Sequence, residues 1–250
     1  MSLIIFVILI FNAINYYPLI KNYYSTGSPF FADIGIGIVY QIISAVFIVL
    51  GIFTSGVAGN YLAKDLWPEK IVIRKKSIFI GYLLALFSLG ITSLIYFLGE
   101  KYLGVWGLGD STIFDNLLTY IPLISLVSIA LYSSISEELV FRLFGISFFK
   151  KYIKSTIWAV LITTIIWAVA HSNYPVFPYY FRAIELLIGG LLFGYFFVRY
   201  DISTTITAHY IFNSIVLGLV FFVGGGVYLL TSWILVLILP LLLILWKEKK

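Results

Sequence analysis

Cysteine is absent from the 250 residues, so the chain has no disulfide, no thiol nucleophile and no thiolate metal site. Any chemistry must come from carboxylates, imidazoles, amides and hydroxyls. Charge is nearly as scarce: only 11% of residues are Asp, Glu, Lys or Arg, and histidine occurs twice. Apolar residues make up 62% of the chain. A soluble domain cannot hide that much apolar surface, whereas a lipid bilayer solvates it, one crossing helix taking roughly 20 mostly apolar residues.

Uncharged apolar stretches run over 2–20, 34–57, 77–98, 114–135, 155–172, 182–198, 203–222 and 227–246, separated by Lys/Arg, Pro or Gly-rich breaks. They predict an all-α, polytopic membrane bundle of about eight transmembrane helices. The length accommodates one membrane domain over 1–250, with short loops and no second, soluble domain. The first run lacks a basic n-region and a small-residue cleavage site, and reads as a retained helix rather than a removed signal peptide. After Ile135 the apolar pattern continues to Phe149 but is interrupted by Glu137, Glu138 and Arg142. That pattern predicts either a long fourth helix or one broken near Ser133 to Ser136.

The net charge of +5 would suggest a nucleic-acid partner in a soluble protein. Here the basic residues cluster at helix ends, and no nucleic acid is expected. Counting connections alternately, one side collects Lys64, Lys70, Arg74, Lys75, Lys76, Lys150, Lys151, Lys154, Arg199, Lys247, Lys249 and Lys250. The other side holds Lys21, Lys101 and Arg182. The positive-inside rule then places both termini in the cytoplasm, an N-in/C-in multi-pass protein of the lipid bilayer.

An ionisable group inside a spanning segment costs about 2.5–3.5 kcal/mol on insertion scales, so each one is a candidate for function. Glu138 and Arg142 are four residues apart on one helix face, where they can form an ion pair; Glu137 is turned about 100° away, with no local cation, and suits a general base. His171 has Trp167 one turn before it, and His209 has Asn213 one turn after it. A carboxylate, two imidazoles and an amide supply what amide hydrolysis requires: a base for water, a proton donor for the leaving amine and donors for the oxyanion. Glu137, His171 and His209 also match a catalytic zinc shell with an open fourth position. Residue types alone leave both open.

The ordered series E-E-x-x-x-R at Glu137–Arg142, aromatic-x-x-x-H at Trp167–His171 and H-x-x-x-N at His209–Asn213 resembles the CAAX-processing and bacteriocin-processing (CPBP, or Abi) intramembrane proteases, which include the Rce1-like prenyl-protein peptidases. The resemblance covers about 115–222, a catalytic core that also carries Gly190 and Gly194, spaced for close helix packing. Trp167 stands where that family more often has Phe. The resemblance implies an intramembrane endopeptidase in which Glu137 and His171 activate water, His209 and Asn213 form the oxyanion hole, and Glu138 with Arg142 braces the site beside the aromatic wall of Trp167. It implies a glutamate-dependent enzyme with no metal, zinc on Glu137, His171 and His209 being the variant. The substrate would be a membrane-associated peptide or protein, of prenylated CAAX type or a leader peptide.

Other motifs carry less. Gly107–Asp110 and Tyr200–Asp201 copy the two aspartate motifs of presenilin-type proteases, but in reversed order and on opposite faces of the expected bundle, so the two aspartates could not share a proton. They read as a glycine turn and an interfacial loop. Thr54–Gly56 lacks the first glycine of a rhomboid serine motif, and H-E-x-x-H is absent. Glu185 and Arg182 read as an exposed or snorkelled pair near the outer interface, and Tyr23, Tyr24, Tyr174, Phe177, Tyr179, Tyr180 and Phe181 as an interfacial aromatic belt. The rival reading is a non-catalytic immunity protein or transporter that uses the same buried polar groups for binding or proton relay. Counted along the spans, Glu137 lies about 20 Å, His209 about 10 Å and His171 about 24 Å from the cytoplasmic ends, depths that do not coincide.

Overall fold

The computed structural model of the chain describes residues 2–15, 17–18, 30–71, 74–107, 119–171, 176–223 and 226–245. Helices dominate them: α1 (Ser2–Asn15), α2 (Phe30–Leu66), α3 (Lys75–Leu103), α4 (Pro122–Glu137), a π-helical segment (Glu138–Ile146) continued by α5 (Ser147–Ile153), α6 (Thr156–Ala170), α7 (Tyr179–Arg199), α8 (Ile202–Val223) and α9 (Val227–Ile238). Two short 3-10 turns, Pro68–Ile71 and Leu239–Leu245, follow α2 and α9. The chain is an all-α, polytopic membrane bundle. Six helices are long and apolar enough to cross a membrane, and Leu3–Asn15 and Thr156–Ala170 are shorter apolar ones.

Burial is inverted relative to a soluble protein. Ile157, Val223 and Val227 are among the many large apolar side chains left exposed, which lipid would solvate, while Glu138, Arg142, Asp201, Thr204 and Ser214 are buried. Two apolar clusters form the interior. The first gathers Ile5, Leu9, Ile52, Trp67, Ile135, Leu139, Leu143 and Ile146; the second gathers Leu84, Leu126, Ala130, Phe193, Ile211, Phe221 and Val236. The α4–π segment contributes to both and therefore runs through the middle of the bundle.

Small residues set the helix spacing, as van der Waals packing in a membrane requires. A Cβ on Gly194 would lie 2.6 Å from Val160 Cγ1, and one on Gly190 2.6 Å from Thr164 Cγ2, so the Gly190/Gly194 spacing does bring α7 against α6. Gly81 seats Thr207 of α8 against α3 in the same way. At the start of α4, Asn15 holds the backbone of Ile121 from both sides, accepting from its N–H at 2.6 Å and donating to its carbonyl at 2.9 Å. That bond pins α1 to the helix that carries the glutamates.

One expectation changes here and two are sharpened. Of the two alternatives for the helix after Ile135 the long one holds: it is not broken between Ser133 and Ser136 but runs on to Ile153, with the winding changing to π at Glu138. Asp201 lies in the short connection between α7 and α8 and is buried there: it accepts from Thr204 N–H at 2.8 Å at the start of α8, and from Ser77 Oγ at 2.5 Å. This polar cap lets α8 begin in a buried setting, with Ile202 to Thr205 all buried. Phe181 is buried against Gly99 rather than lying in an interfacial belt, whereas Tyr179 and Tyr180 are exposed. Leu108 to Asp110, Tyr23, Tyr24 and Tyr174 lie outside the described residues.

Candidate active site

Glu137 ends α4 and Glu138 opens the π segment, so the two carboxylates leave one chain at the point where its winding changes. Single π turns inside α-helices recur at functional sites because they redirect side chains. Glu138 is fully buried; its Oε1 faces Arg142 Nη1 at 3.1 Å, the expected i,i+4 pair. The Arg142 guanidinium lies over two rings, 4.9 Å from the Trp167 centroid and 5.4 Å from that of Phe193. A planar, delocalised cation suits such a sandwich, where a lysine would not.

Glu138 also does something its spacing did not predict. His209 Nδ1 is 2.8 Å from Oε1, and a carboxylate paired with arginine can only accept, so Nδ1 is the donor. His209 Nε2 is thereby turned toward Glu137 Oε2, at 3.9 Å. The same logic fixes the second ring. His171 caps the end of α6, and its Nδ1 lies 2.8 Å from the Trp167 carbonyl, an obligate acceptor. His171 Nε2 then faces Glu137 Oε2 at 3.4 Å. Trp167 Nε1 donates to that same oxygen at 2.8 Å.

Glu137 has no cation beside it on its own helix face, as expected, and two imidazoles and an indole from other helices converge on it. The depth mismatch also dissolves. Glu137 and His171 are equidistant along the chain from Lys154, whose left-handed conformation (φ 61°) closes the α5–α6 hairpin, so antiparallel packing brings them level. His209 lies only two turns into α8, but its contact with Glu137 shows that α8 is offset along its axis.

Asn213, one turn beyond His209, donates from Nδ2 to Ser133 Oγ at 2.8 Å, and Ser133 donates to the Ile129 carbonyl at 2.8 Å. Ser133 was not singled out as a site residue from the sequence. Its signal was its place one turn before Glu137 on the same helix face, which counts only once another helix is known to present an amide there. Glu137, Glu138, Arg142, Trp167, His171 and His209 therefore form one connected set, and Asn213 joins the same helix through Ser133. Glu185 stands outside it: the expected pair with Arg182 forms, Nη1 lying 2.5 Å from the carboxylate beside Tyr96, but Glu185 is buried rather than exposed. Among the described residues, no group of three or more histidine, aspartate and glutamate side chains is disposed to hold a metal ion.

Comparison with known proteins points the same way. Residues 119–215 match the family described as Type II CAAX prenyl endopeptidase Rce1-like. The chain is also 28% identical over 181 residues to the sporulation-killing factor biosynthesis protein SkfC of Bacillus subtilis (strain 168), a match that takes in 71% of this chain and 36% of that protein. The chain thus spans about a third of the length of that relative. No solved structure matches significantly. The matched segment holds all seven site residues, and the family it is similar to is the one that the three motifs resemble.

Proposed function

We propose that the chain is an intramembrane endopeptidase that hydrolyses a peptide bond of a membrane-associated substrate with water activated by Glu137 and His171, without a metal. The observation that carries this reading is the convergence of His171 Nε2, His209 Nε2 and the Trp167 indole N–H on one carboxylate. Of the two glutamates Glu137 is the one that the protein leaves partly uncovered, its side chain being 21% exposed against 0% for Glu138. A base must reach water, and a buried brace must not; exposure therefore divides the roles.

In the proposed reaction a water molecule beside Glu137 gives up a proton to the carboxylate as its oxygen attacks the substrate carbonyl. The proton held on Glu137 then passes to the leaving amine. His209, through Nε2, and Asn213 are the donors to the oxyanion, each held by its own partner, Glu138 for the ring and Ser133 for the amide. His171 keeps its Nε2 on the water because its Nδ1 is fixed by the Trp167 carbonyl. The both-termini-in orientation belongs to the same proposal and rests on the distribution of basic loops.

Two substrate descriptions come with the comparisons, a CAAX prenyl protein from the family and a killing factor under biosynthesis from the relative. Both suit a site enclosed by apolar helices, and the test uses one probe of each chemistry. Full-length protein in liposomes is given a farnesylated CAAX peptide and an unprenylated, amphipathic leader-type peptide, with products read by mass spectrometry. Cleavage of at least one, lost in His171→Ala with folding intact and unaffected by a zinc chelator, is the expected result. Cleavage that survives His171→Ala overturns the role of that residue, loss to chelator restored by zinc replaces the metal-free mechanism with the metal one, and absence of cleavage of either probe favours the binding or transport role.

A further inference from the structure

Among the described residues, the hydrogen bond and the ion pairs to the Glu137 carboxylate all fall on one of its two oxygens. Trp167 Nε1, His171 Nε2 and His209 Nε2 all approach Oε2, at 2.8, 3.4 and 3.9 Å. Among the described residues no group donates a hydrogen bond to Oε1. The carboxylate is therefore presented with one oxygen tied into the protein and the other left without a donor among the described residues.

Trp167 is the residue that enforces this. Its carbonyl holds His171 Nδ1, its indole N–H holds Glu137 Oε2, and its ring face carries the Arg142 guanidinium. The ring has little freedom to rotate away, because Gly190 packs beneath it; a Cβ there would lie 3.1 Å from Trp167 Cε3. One side chain and its own backbone thus orient both members of the proposed water-activating pair and stack on the cation of the buried brace.

We infer that Trp167 is a positioning residue, not only an aromatic wall: its indole N–H anchors Glu137 Oε2 so that Oε1 is the oxygen that takes the proton from water. This rests on the peptidase reading above. In the step it implies, one O–H bond of water breaks and an Oε1–H bond forms as the water oxygen bonds to the substrate carbonyl carbon. When the C–N bond breaks, that proton leaves Oε1 for the amine nitrogen, and the carboxylate is regenerated. A ring with no donor would leave the carboxylate free to rotate about its terminal torsion and to present either oxygen, lowering the fraction of productive orientations.

The test is Trp167→Phe, which keeps an aromatic face for Arg142 and the backbone carbonyl for His171 but removes the donor. A charge-assisted hydrogen bond contributes about 1.5–3 kcal/mol, so kcat falls about 10- to 100-fold while KM stays within twofold of wild type. Because phenylalanine is also smaller, the stricter variant places a benzothienyl-alanine at 167, which has the shape of tryptophan with sulfur in place of the N–H; it shows the same fall in kcat with wild-type thermal stability. A wild-type kcat in the benzothienyl variant, or an effect confined to KM, overturns the assignment. Undiminished cleavage by Glu137→Gln instead overturns the peptidase reading on which it rests, and the two failures are told apart by which variant keeps its activity.

Discussion

Glu137→Gln is expected to lower kcat/KM at least about 10³-fold with little change in stability, the upper part of the range for loss of a general base. Glutamine has the shape of glutamate, and its amide oxygen can still accept from Trp167 Nε1, so the packing at the junction of α4 and the π segment is kept. What it cannot do is take a proton from water. Glu137→Asp separates geometry from chemistry: it retains the acid but draws it back by one methylene, away from both imidazoles, and a misplacement of about 1 Å is enough for a loss on the order of 100-fold. Turnover of the two peptide probes, with thermal unfolding in detergent as the folding control, measures both. Equal activity in wild type and Glu137→Gln would remove Glu137 from the chemistry altogether.

Arg142→Leu is expected to destabilise the protein by about 3–5 kcal/mol, because it leaves the Glu138 carboxylate buried without its cation. Side-chain exposures of 4% for Arg142 and 0% for Glu138 mean that solvent offers no substitute. The damage extends to activity, since the same Oε1 that faces Arg142 orients His209, and the ring loses its anchor when that carboxylate moves or takes up a proton. The double variant Glu138→Gln with Arg142→Leu isolates the cause. It removes both charges, and the glutamine oxygen can still accept from His209 Nδ1, so stability recovers by more than half even though a cation has been lost. Chemical unfolding in mixed micelles reads these differences; a single variant as stable as wild type would show that the pair is not a brace.

What could be read along the chain was whatever repeats at the scale of one helix. Each of the eight apolar runs has a helix at its centre in the structure, because a run of that length in a chain this poor in charge has few other ways to bury its backbone polar groups. The Glu138–Arg142 pair was legible for the same reason, both partners lying on one helix face four residues apart. Contacts between helices were not. Ser133 under Asn213, the Trp167 indole on Glu137 and the Glu138 carboxylate on His209 each join residues dozens of positions apart, and no local pattern encodes them. Depth failed instructively. Counting rise from the end of a run assumes that every helix starts at the same level, whereas the contacts of Glu137 with His171 and His209 show that the three helices are offset along their axes. The change to π winding at Glu138 was likewise invisible to an apolar periodicity that two glutamates and an arginine had already interrupted.

That Glu137 activates water, rather than attacking the substrate itself, is tested most directly by a single turnover in ¹⁸O-labelled water with enzyme in excess over the cleaved peptide probe. Direct attack by water places one ¹⁸O in the new C-terminal carboxylate of the product and none in the protein, and Glu137→Gln yields no labelled product. Label found in the Glu137 carboxylate with an unlabelled product would mean that an acyl-enzyme had formed on that glutamate, and labelled product from Glu137→Gln at the wild-type rate would mean that another group activates the water.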